Sequence, residues 1–347
     1  GAGDGRRNAE TYLRQVLSGR RVAWDKGIRA RTCAGEADCN HLRRNGRSKK
    51  RPRQGERVYC YDTGDGRAGK EQIKRAAELG VGIYRLNYTP TDEKMFAYLD
   101  KVIDACERYN LKLFLVAFDW DFINYENPKT LYSIAKSIAD RYRGHIYMYQ
   151  VSNEQEIPSL DLAHLKDPIG NDRAHYNMES FSSVCKCMKQ ILNGFKDGDP
   201  DAKTCVNISW RHTAFLDLLI EEGLRWDVTG LDWYWALDNS GHNNIVETIE
   251  HIASLPIPEI IIAEANAWEG DYRMSEEEMR DYNRKAMDFY FNYPCEKLSG
   301  FIIYELLDEP DKEFGESRFG LAVCDIHGHI GRKKLSFTDI ASRLKGN

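Results

Sequence analysis

An α/β fold, a (β/α)8 TIM barrel carrying a short N-terminal helical and basic extension, is what this sequence predicts, and three observations predict it. A short apolar run alternates with an amphipathic stretch eight times from Arg57 onward. The runs are apolar nearly throughout, which marks strands buried on both faces, as in parallel sheets. No Pro/Gly/Ser-rich linker divides the 347 residues, so one large domain, 57–347, is expected after an extension of 1–56. An open doubly wound sheet is the rival arrangement. It would call for a Gly-rich phosphate turn after the first strand, and DTGDGRAGK (62–70) has neither the dinucleotide nor the P-loop spacing.

Taken in order, residues 8–18 place Tyr12, Leu13, Val16 and Leu17 at helical spacing. Residues 41–57 then hold eight Lys/Arg against one acid, a local excess of +7 within a chain of net charge −5. No aromatic interleaves that run, so it reads as a solvated loop, and no nucleic-acid partner is expected. The eight apolar runs are RVYCYD (57–62), VGIYRLNY (81–88), LKLFLVAFDW (111–120), HIYMYQVSNE (145–154), AKTCVNISW (202–210), WDVTGLDWYW (226–235), EIIIAEAN (259–266) and LSGFIIYELL (298–307). Between them lie helical stretches such as GKEQIKRAAELG, MFAYLDKVIDACERYN, LYSIAKSIADRY, MESFSSVCKCMKQILNGF and EEEMRDYNRKAMDFYF, with Gly80 and Asn110 placed as C-terminal caps.

A hydrophobic fraction of 42% with 19 Tyr, 13 Phe and 7 Trp is enough for a sizeable core. No run reaches the roughly twenty apolar residues of a membrane span, so no membrane partner is expected. Nine cysteines, without CxxC pairs, argue against a zinc ribbon and a dense disulfide framework; only Cys33 and Cys39 look like a local bridge. The glycosylation sequons at Asn87 and Asn207 fall at the ends of expected strands, where a glycan would not fit. A monomer, secreted or at the cell surface, is expected, with the cytoplasm left open.

In such a barrel the chemistry gathers at the C-terminal ends of the strands. Those ends supply Arg85 and Asn87, Asp119 and Trp120, Asn153 and Glu154, Trp210 to His212, Asp232 to Trp235, Glu264, Asn266 and Trp268, and finally Tyr304 and Glu305. Five of the seven tryptophans (120, 210, 233, 235 and 268) thus fall at one rim. Aromatic faces there stack on the C–H faces of sugar rings while amides and carboxylates take the hydroxyls, so the expected partner is a carbohydrate. Glu154 ends the fourth run and Glu264 lies in the seventh, across the barrel mouth. Two carboxyl groups on opposite sides of a glycosidic bond are what its hydrolysis needs. One protonates the leaving oxygen; the other attacks the anomeric carbon at a separation of about 5–5.5 Å or activates water at about 6.5–9.5 Å. Arg85 and Tyr234 are placed to hold Glu264 ionised, whereas Glu154 can keep its proton.

Asn-Glu at strand four, Glu at strand seven, Arg at the end of strand two and the closing FIIYELLDEP (301–310) with FGLAVCDIHGHIGRKK (319–334) together resemble the clan A glycoside hydrolases, the four/seven superfamily of retaining (β/α)8 enzymes. The resemblance, from about residue 57 to the end, implies a retaining glycosidase acting on a β-linked oligo- or polysaccharide without cofactor or metal. Glu154 would be the acid/base, Glu264 the nucleophile, and Asn153 the ligand of a sugar hydroxyl, with Arg85 and Tyr234 against the nucleophile. Trp120, Trp210, Trp233, Trp235, Asn266, Trp268 and Tyr304 complete the expected substrate surface. The chain departs from the pattern at Asp232, where many members carry His, and around Tyr304, where many carry Trp.

Glu156 and Glu305 are rival acids; Glu156, two residues past the strand end, reads as a surface loop residue. The nine His show no metal spacing, and the HGH at 327–329 lies in a late turn. The loop at 157–177 is expected to wall one side of the cleft. A carbohydrate-binding barrel without turnover is the alternative reading, and a nucleic-acid-associated protein organised by the basic run is a third.

Overall fold

The computed structural model describes residues 69–118, 123–165, 168–234, 241–267, 274–310, 317–326 and 328–346, together with the backbone of strand 57–62. The early helix, the basic run, Cys33 and Cys39, the Gly-rich residues 63–68, Trp120, Trp235, Trp268 and His327 lie outside the described residues. The barrel unit is Pro52–Asn347.

Its elements alternate as the pattern predicts: β1 (Arg57–Asp62), α1 (Gly69–Leu79), β2 (Ile83–Asn87), α2 (Glu93–Arg108), β3 (Lys112–Val116), α3 (Pro128–Arg141), β4 (Ile146–Gln150), α4 (Met178–Gly198), β5 (Lys203–Ser209), α5 (Ala214–Glu221), β6 (Val228–Asp232), α6 (Gly241–Ser254), β7 (Glu259–Ala265), α7 (Glu276–Asn292) and β8 (Leu298–Ile303). A hairpin, β9 (Ala322–Cys324) with β10 (Ile330–Lys333), precedes α8 (Leu335–Lys345). The eight strands pair in chain order, all parallel, and β1 pairs with β8 from Arg57↔Gly300 to Cys60↔Ile303, which closes the sheet. Closure leaves that sheet without an exposed edge.

Two apolar layers result from the period-2 alternation of each strand. Ile83, Phe114, Met148, Cys205, Val228, Ile261, Ala263 and Ile302 fill the barrel interior. Their strand neighbours, including Leu86, Leu115, Tyr149, Val206, Leu231, Ile262 and Ile303, face the helices in a far larger cluster. The helices carry their own boundary signals. Asp92 accepts from the Met95 N–H (2.8 Å) at the start of α2, and Ser275 with Glu278 forms a capping box at α7. Gly80 (φ 93°) and Asn110 (φ 55°) take the left-handed conformation just beyond α1 and α2, as expected of C-terminal caps.

The segment after β8 folds back on the barrel. Leu307 bridges to Ala322, and the buried Lys334 ammonium meets Asp308 at 2.7 Å. Asp308 also accepts from the Gly320 N–H, and a Cβ at Gly320 would lie 2.1 Å from the Asp308 nitrogen. A side chain there would push the segment off, so the Phe-Gly-Leu of the closing motif is a packing requirement.

Candidate active site

The interior changes from apolar to polar one step above Met148, Cys205 and Val228. Inward positions two residues further along carry Gln150, Asn207 and, four past Val228, Asp232, while Arg85 stands two past Ile83 on β2. All four are buried. Between them Gly230 makes room: a Cβ there would lie 2.9 Å from the Cβ atoms of both Asn207 and Ala263.

Glu264 reaches this layer through an irregularity. Leu231 pairs with Ile262 but Asp232 pairs with Glu264, so β7 gains one residue against β6. Ala263 faces the interior, and strict alternation would turn Glu264 outward. The extra residue re-aims it, the usual work of a bulge beside a site. Its Oε1 accepts from Arg85 Nη1 at 2.8 Å and its Oε2 from the Tyr234 hydroxyl at 2.6 Å. Burial, then the Glu264 charge, raise the Tyr234 phenol well above its ordinary range, so it remains a donor.

Arg85 is fully buried, and among the described residues Nε and Nη2 also donate to Gln150 Oε1 (3.3 and 2.9 Å) and Nη2 to Asn153 Oδ1 (3.0 Å). Asn153 Oδ1 accepts two more, from Gln150 Nε2 (3.1 Å) and Asn207 Nδ2 (2.9 Å). That Oδ1 is thus an acceptor shared by β2, β4 and β5.

Glu154 follows with φ 45°, a backbone state that is uncommon without glycine. Its N–H donates to Asn207 Oδ1 at 3.1 Å, which helps hold the turn. Asn207 is thus the hinge pin between β4 and β6, since its Nδ2 also donates to Asp232 Oδ2 at 2.7 Å. An asparagine used on both amide ends and 2% exposed is no glycan acceptor. Burial raises the Asp232 carboxyl well above its usual range, with Glu264 and Glu154 adding to the effect and Arg85 opposing it.

Several expected substrate ligands are placed elsewhere. Trp233 is 0% exposed in the strand–helix layer, because it alternates with inward Asp232 and Tyr234; it cannot stack on a sugar. Asn266, also 0% exposed, is a brace: Nδ2 donates to the Tyr304 and Phe319 carbonyls (2.6 and 2.7 Å) and Oδ1 accepts from the Ala267 N–H. Arg85, fully enclosed, donates to Glu264. Trp210 remains half-buried at the rim, at φ 49°, its ring edge-on to His212. Tyr304 is half-buried too, edge-on to both Tyr234 and Phe319, so these three rings form one aromatic corner beside Glu264.

Glu156 is no surface residue. It is wholly buried, and its Oε1 accepts from the Ser209 N–H (2.7 Å), the Ser209 hydroxyl (2.8 Å) and lies 3.0 Å from His212 Nδ1. The strand-four loop is pinned by Tyr176, whose buried hydroxyl lies 2.8 Å from the Gly170 carbonyl and 3.2 Å from that of His212. Glu305 is 2% exposed, and His329 is an exposed partner of Asp325. Gln150 and Asn207 were missed as site residues, although polar residues at inward positions of apolar strands are a legible signal. Among the described residues no cluster of three His, Cys, Asp or Glu is arranged to hold a metal ion.

No protein-family model matches the chain, and no curated protein sequence matches it. Solved structures do. The family 1 β-glucosidase of Thermotoga maritima superposes with a TM-score of 0.63 at 15% identity, covering 80% of this chain and 86% of that one. The β-glucosidase from the same organism in complex with glucoimidazole gives 0.61 at 15%, with the same coverage of each chain. The family 1 enzyme in complex with isofagomine lactam gives 0.62 at 16%, again over 80% and 86%. At such identities the likeness shows the fold: this chain has the TIM-barrel architecture of those glycosidases.

Proposed function

We propose that this protein is a retaining glycoside hydrolase acting on a β-linked oligo- or polysaccharide, with Glu264 as nucleophile and Glu154 as acid/base. The observation that carries the reading is the arrangement of Arg85. One guanidinium binds the Glu264 carboxylate and the side chain of Asn153, the residue before Glu154. The strand-seven acid and the strand-four exit therefore belong to one constellation, at the strand ends where barrels of this kind do chemistry.

In the first step Glu264 would attack the anomeric carbon while Glu154 protonates the departing oxygen, giving a glycosyl-enzyme ester. In the second, Glu154 would take a proton from water as it attacks that ester, and Glu264 would leave. Arg85 and Tyr234 give Glu264 two charge-assisted hydrogen bonds that fix the attacking carboxylate. The Tyr234–Tyr304–Phe319 corner and Trp210 supply apolar surface for a sugar ring. The β-glucosidases that share the fold support a carbohydrate ligand.

The test is hydrolysis of a panel of aryl β-glycosides and β-glucans, with product anomers read by NMR. Glu264→Ala should abolish turnover, and azide should restore it as a glycosyl azide of inverted configuration. Glu154→Ala should spare substrates with good leaving groups. If neither substitution changes the hydrolysis of any glycan turned over, the reading is wrong; binding without turnover would instead favour a carbohydrate-binding barrel.

A further inference from the structure

Asp232 stands where many members of the resembled clan carry histidine, and the two-carboxylate mechanism gives it no part. It is 2% exposed and is the cross-strand neighbour of Glu264. Its Oδ2 accepts from Asn207 Nδ2 at 2.7 Å, while its Oδ1 is buried without a hydrogen-bond partner. The ionic and titratable groups around it include Glu264 on β7, Glu154 and Glu156 beyond β4, Arg85 on β2, the Tyr234 phenol just past β6 and the buried Cys205 thiol on β5. Three other acidic side chains thus bear on it against a single guanidinium, whose hydrogen bonds to described residues go to Glu264, Gln150 and Asn153. Two adjacent buried carboxyl groups do not both ionise when one cation serves only one of them.

We propose that Asp232 works as a neutral carboxylic acid and positioning residue, setting Asn207 and, through it, Asn153 and the Glu154 backbone, while Glu264 alone answers the Arg85 charge. The geometry assigns the ends of each group. Asn207 Nδ2 faces two acceptors, Asp232 Oδ2 and Asn153 Oδ1, and Asn207 Oδ1 faces the Glu154 N–H. The proton of Asp232 then belongs on Oδ1, away from the Asn207 donor. A carboxylic acid with one accepting and one protonated oxygen presents the polar pattern of an amide, so asparagine is its close mimic. The direction in which burial and Glu264 push this carboxyl agrees with the neutral form.

This role rests on the glycosidase reading, but the protonation state does not, so two readouts separate them. The first is thermal stability of wild-type protein and Asp232→Asn against pH, with no substrate. If Asp232 is neutral in the fold, the unfolded chain gives up its proton above about pH 4 and the folded protein does not. The stability that this group contributes is present below that pH and lost above it, so Asp232→Asn should gain in Tm relative to wild type as pH rises from about 4 to 7. A gap that is flat, or that shrinks, over that range overturns the proposal. The second readout is kinetic, on whichever glycoside the wild type hydrolyses. Asp232→Asn should keep kcat within about threefold, while Asp232→Ala, which leaves an Asn207 donor unmet, should lose roughly tenfold or more in kcat. Equal losses in the two variants would overturn the positioning role. A wild type without activity on any glycan would sink the hydrolase reading and with it that role, and the Tm series would still decide the charge of Asp232.

Discussion

One guanidinium joins the two acid-bearing strands: Arg85 donates to Glu264 Oε1 at 2.8 Å and to Asn153 Oδ1 at 3.0 Å, partners 179 and 68 residues away in the chain. The pair with Glu264 is almost completely buried. Removing the cation would leave a carboxylate without its partner, which costs about 3–5 kcal/mol. Arg85→Ala should therefore lower unfolding free energy by that order in urea titrations. It should also depress kcat/KM by at least about 100-fold, because Asn153 and Glu264 lose their common support. Arg85→Lys should recover stability better than rate, since an ammonium cannot reproduce the fork.

Tyr234→Phe deletes one hydrogen bond to a charged group and little volume. A loss of about 1.5–3 kcal/mol in transition-state stabilisation corresponds to roughly 10- to 100-fold in kcat/KM. The phenol is held well above its usual range by burial and the Glu264 charge. Its deprotonation should therefore not shape the pH–rate profile below about pH 10, and Tyr234→Phe and wild type should show parallel alkaline limbs.

Gly230→Ala tests the packing under the site. The new methyl would meet the Cβ atoms of Asn207 and Ala263 at 2.9 Å each. Overpacking of this kind costs about 1–3 kcal/mol. A lowered Tm with a fall in kcat is expected, because Asn207 carries the Glu154 N–H and cannot shift without moving it.

Trp233 and Tyr304 should separate cleanly. Trp233 is 0% exposed between strand and helix, so Trp233→Ala should cost about 3–5 kcal/mol in stability. The milder Trp233→Phe should leave KM for an aryl glycoside near the wild-type value. Tyr304→Ala should raise KM, since its half-buried ring edges Tyr234.

Alkaline pH should destabilise the fold. Burial pushes the Cys106 thiol up to about 12 and those of Cys185 and Cys187 to about 11, and it raises the phenols of Tyr142, Tyr149, Tyr176 and Tyr290 as well. Unfolded thiols ionise near pH 8.5 and unfolded phenols near 10. Folded values above unfolded ones mean stability that is complete below about pH 8.5 and lost as pH rises from there. Unfolding free energy in reducing buffer should fall above pH 8.5 by about 1.4 kcal/mol per pH unit for each thiol, more steeply above 10. A flat profile to pH 11 would contradict the burial of these groups.

What the sequence determined by itself was the order of the barrel and the place of its strand ends. All eight apolar runs contain the observed strands, RVYCYD to the residue, because strands buried on both faces need continuous apolar side chains whatever surrounds them. Arg85, Tyr234 and Glu264 could be grouped from their places at strand ends, since the barrel sends every strand end to the same mouth. The tertiary structure alone decided which way each residue faces. Trp233 and Asn266 share their strand ends with site residues, yet one turns into the helix layer and the other braces the Tyr304 turn, because alternation within a closed sheet sets direction one residue at a time. The extra residue in β7 that turns Glu264 inward exists only relative to β6. Glu156 reads as loop because its Ser209 and His212 partners lie 53 and 56 residues on. Asn207's strand-end place argues against a glycan, but nothing local shows that Asp232, Asn153 and Glu154 converge on its amide. Local patterning sets burial and element type; the closing of eight strands sets which polar atoms meet.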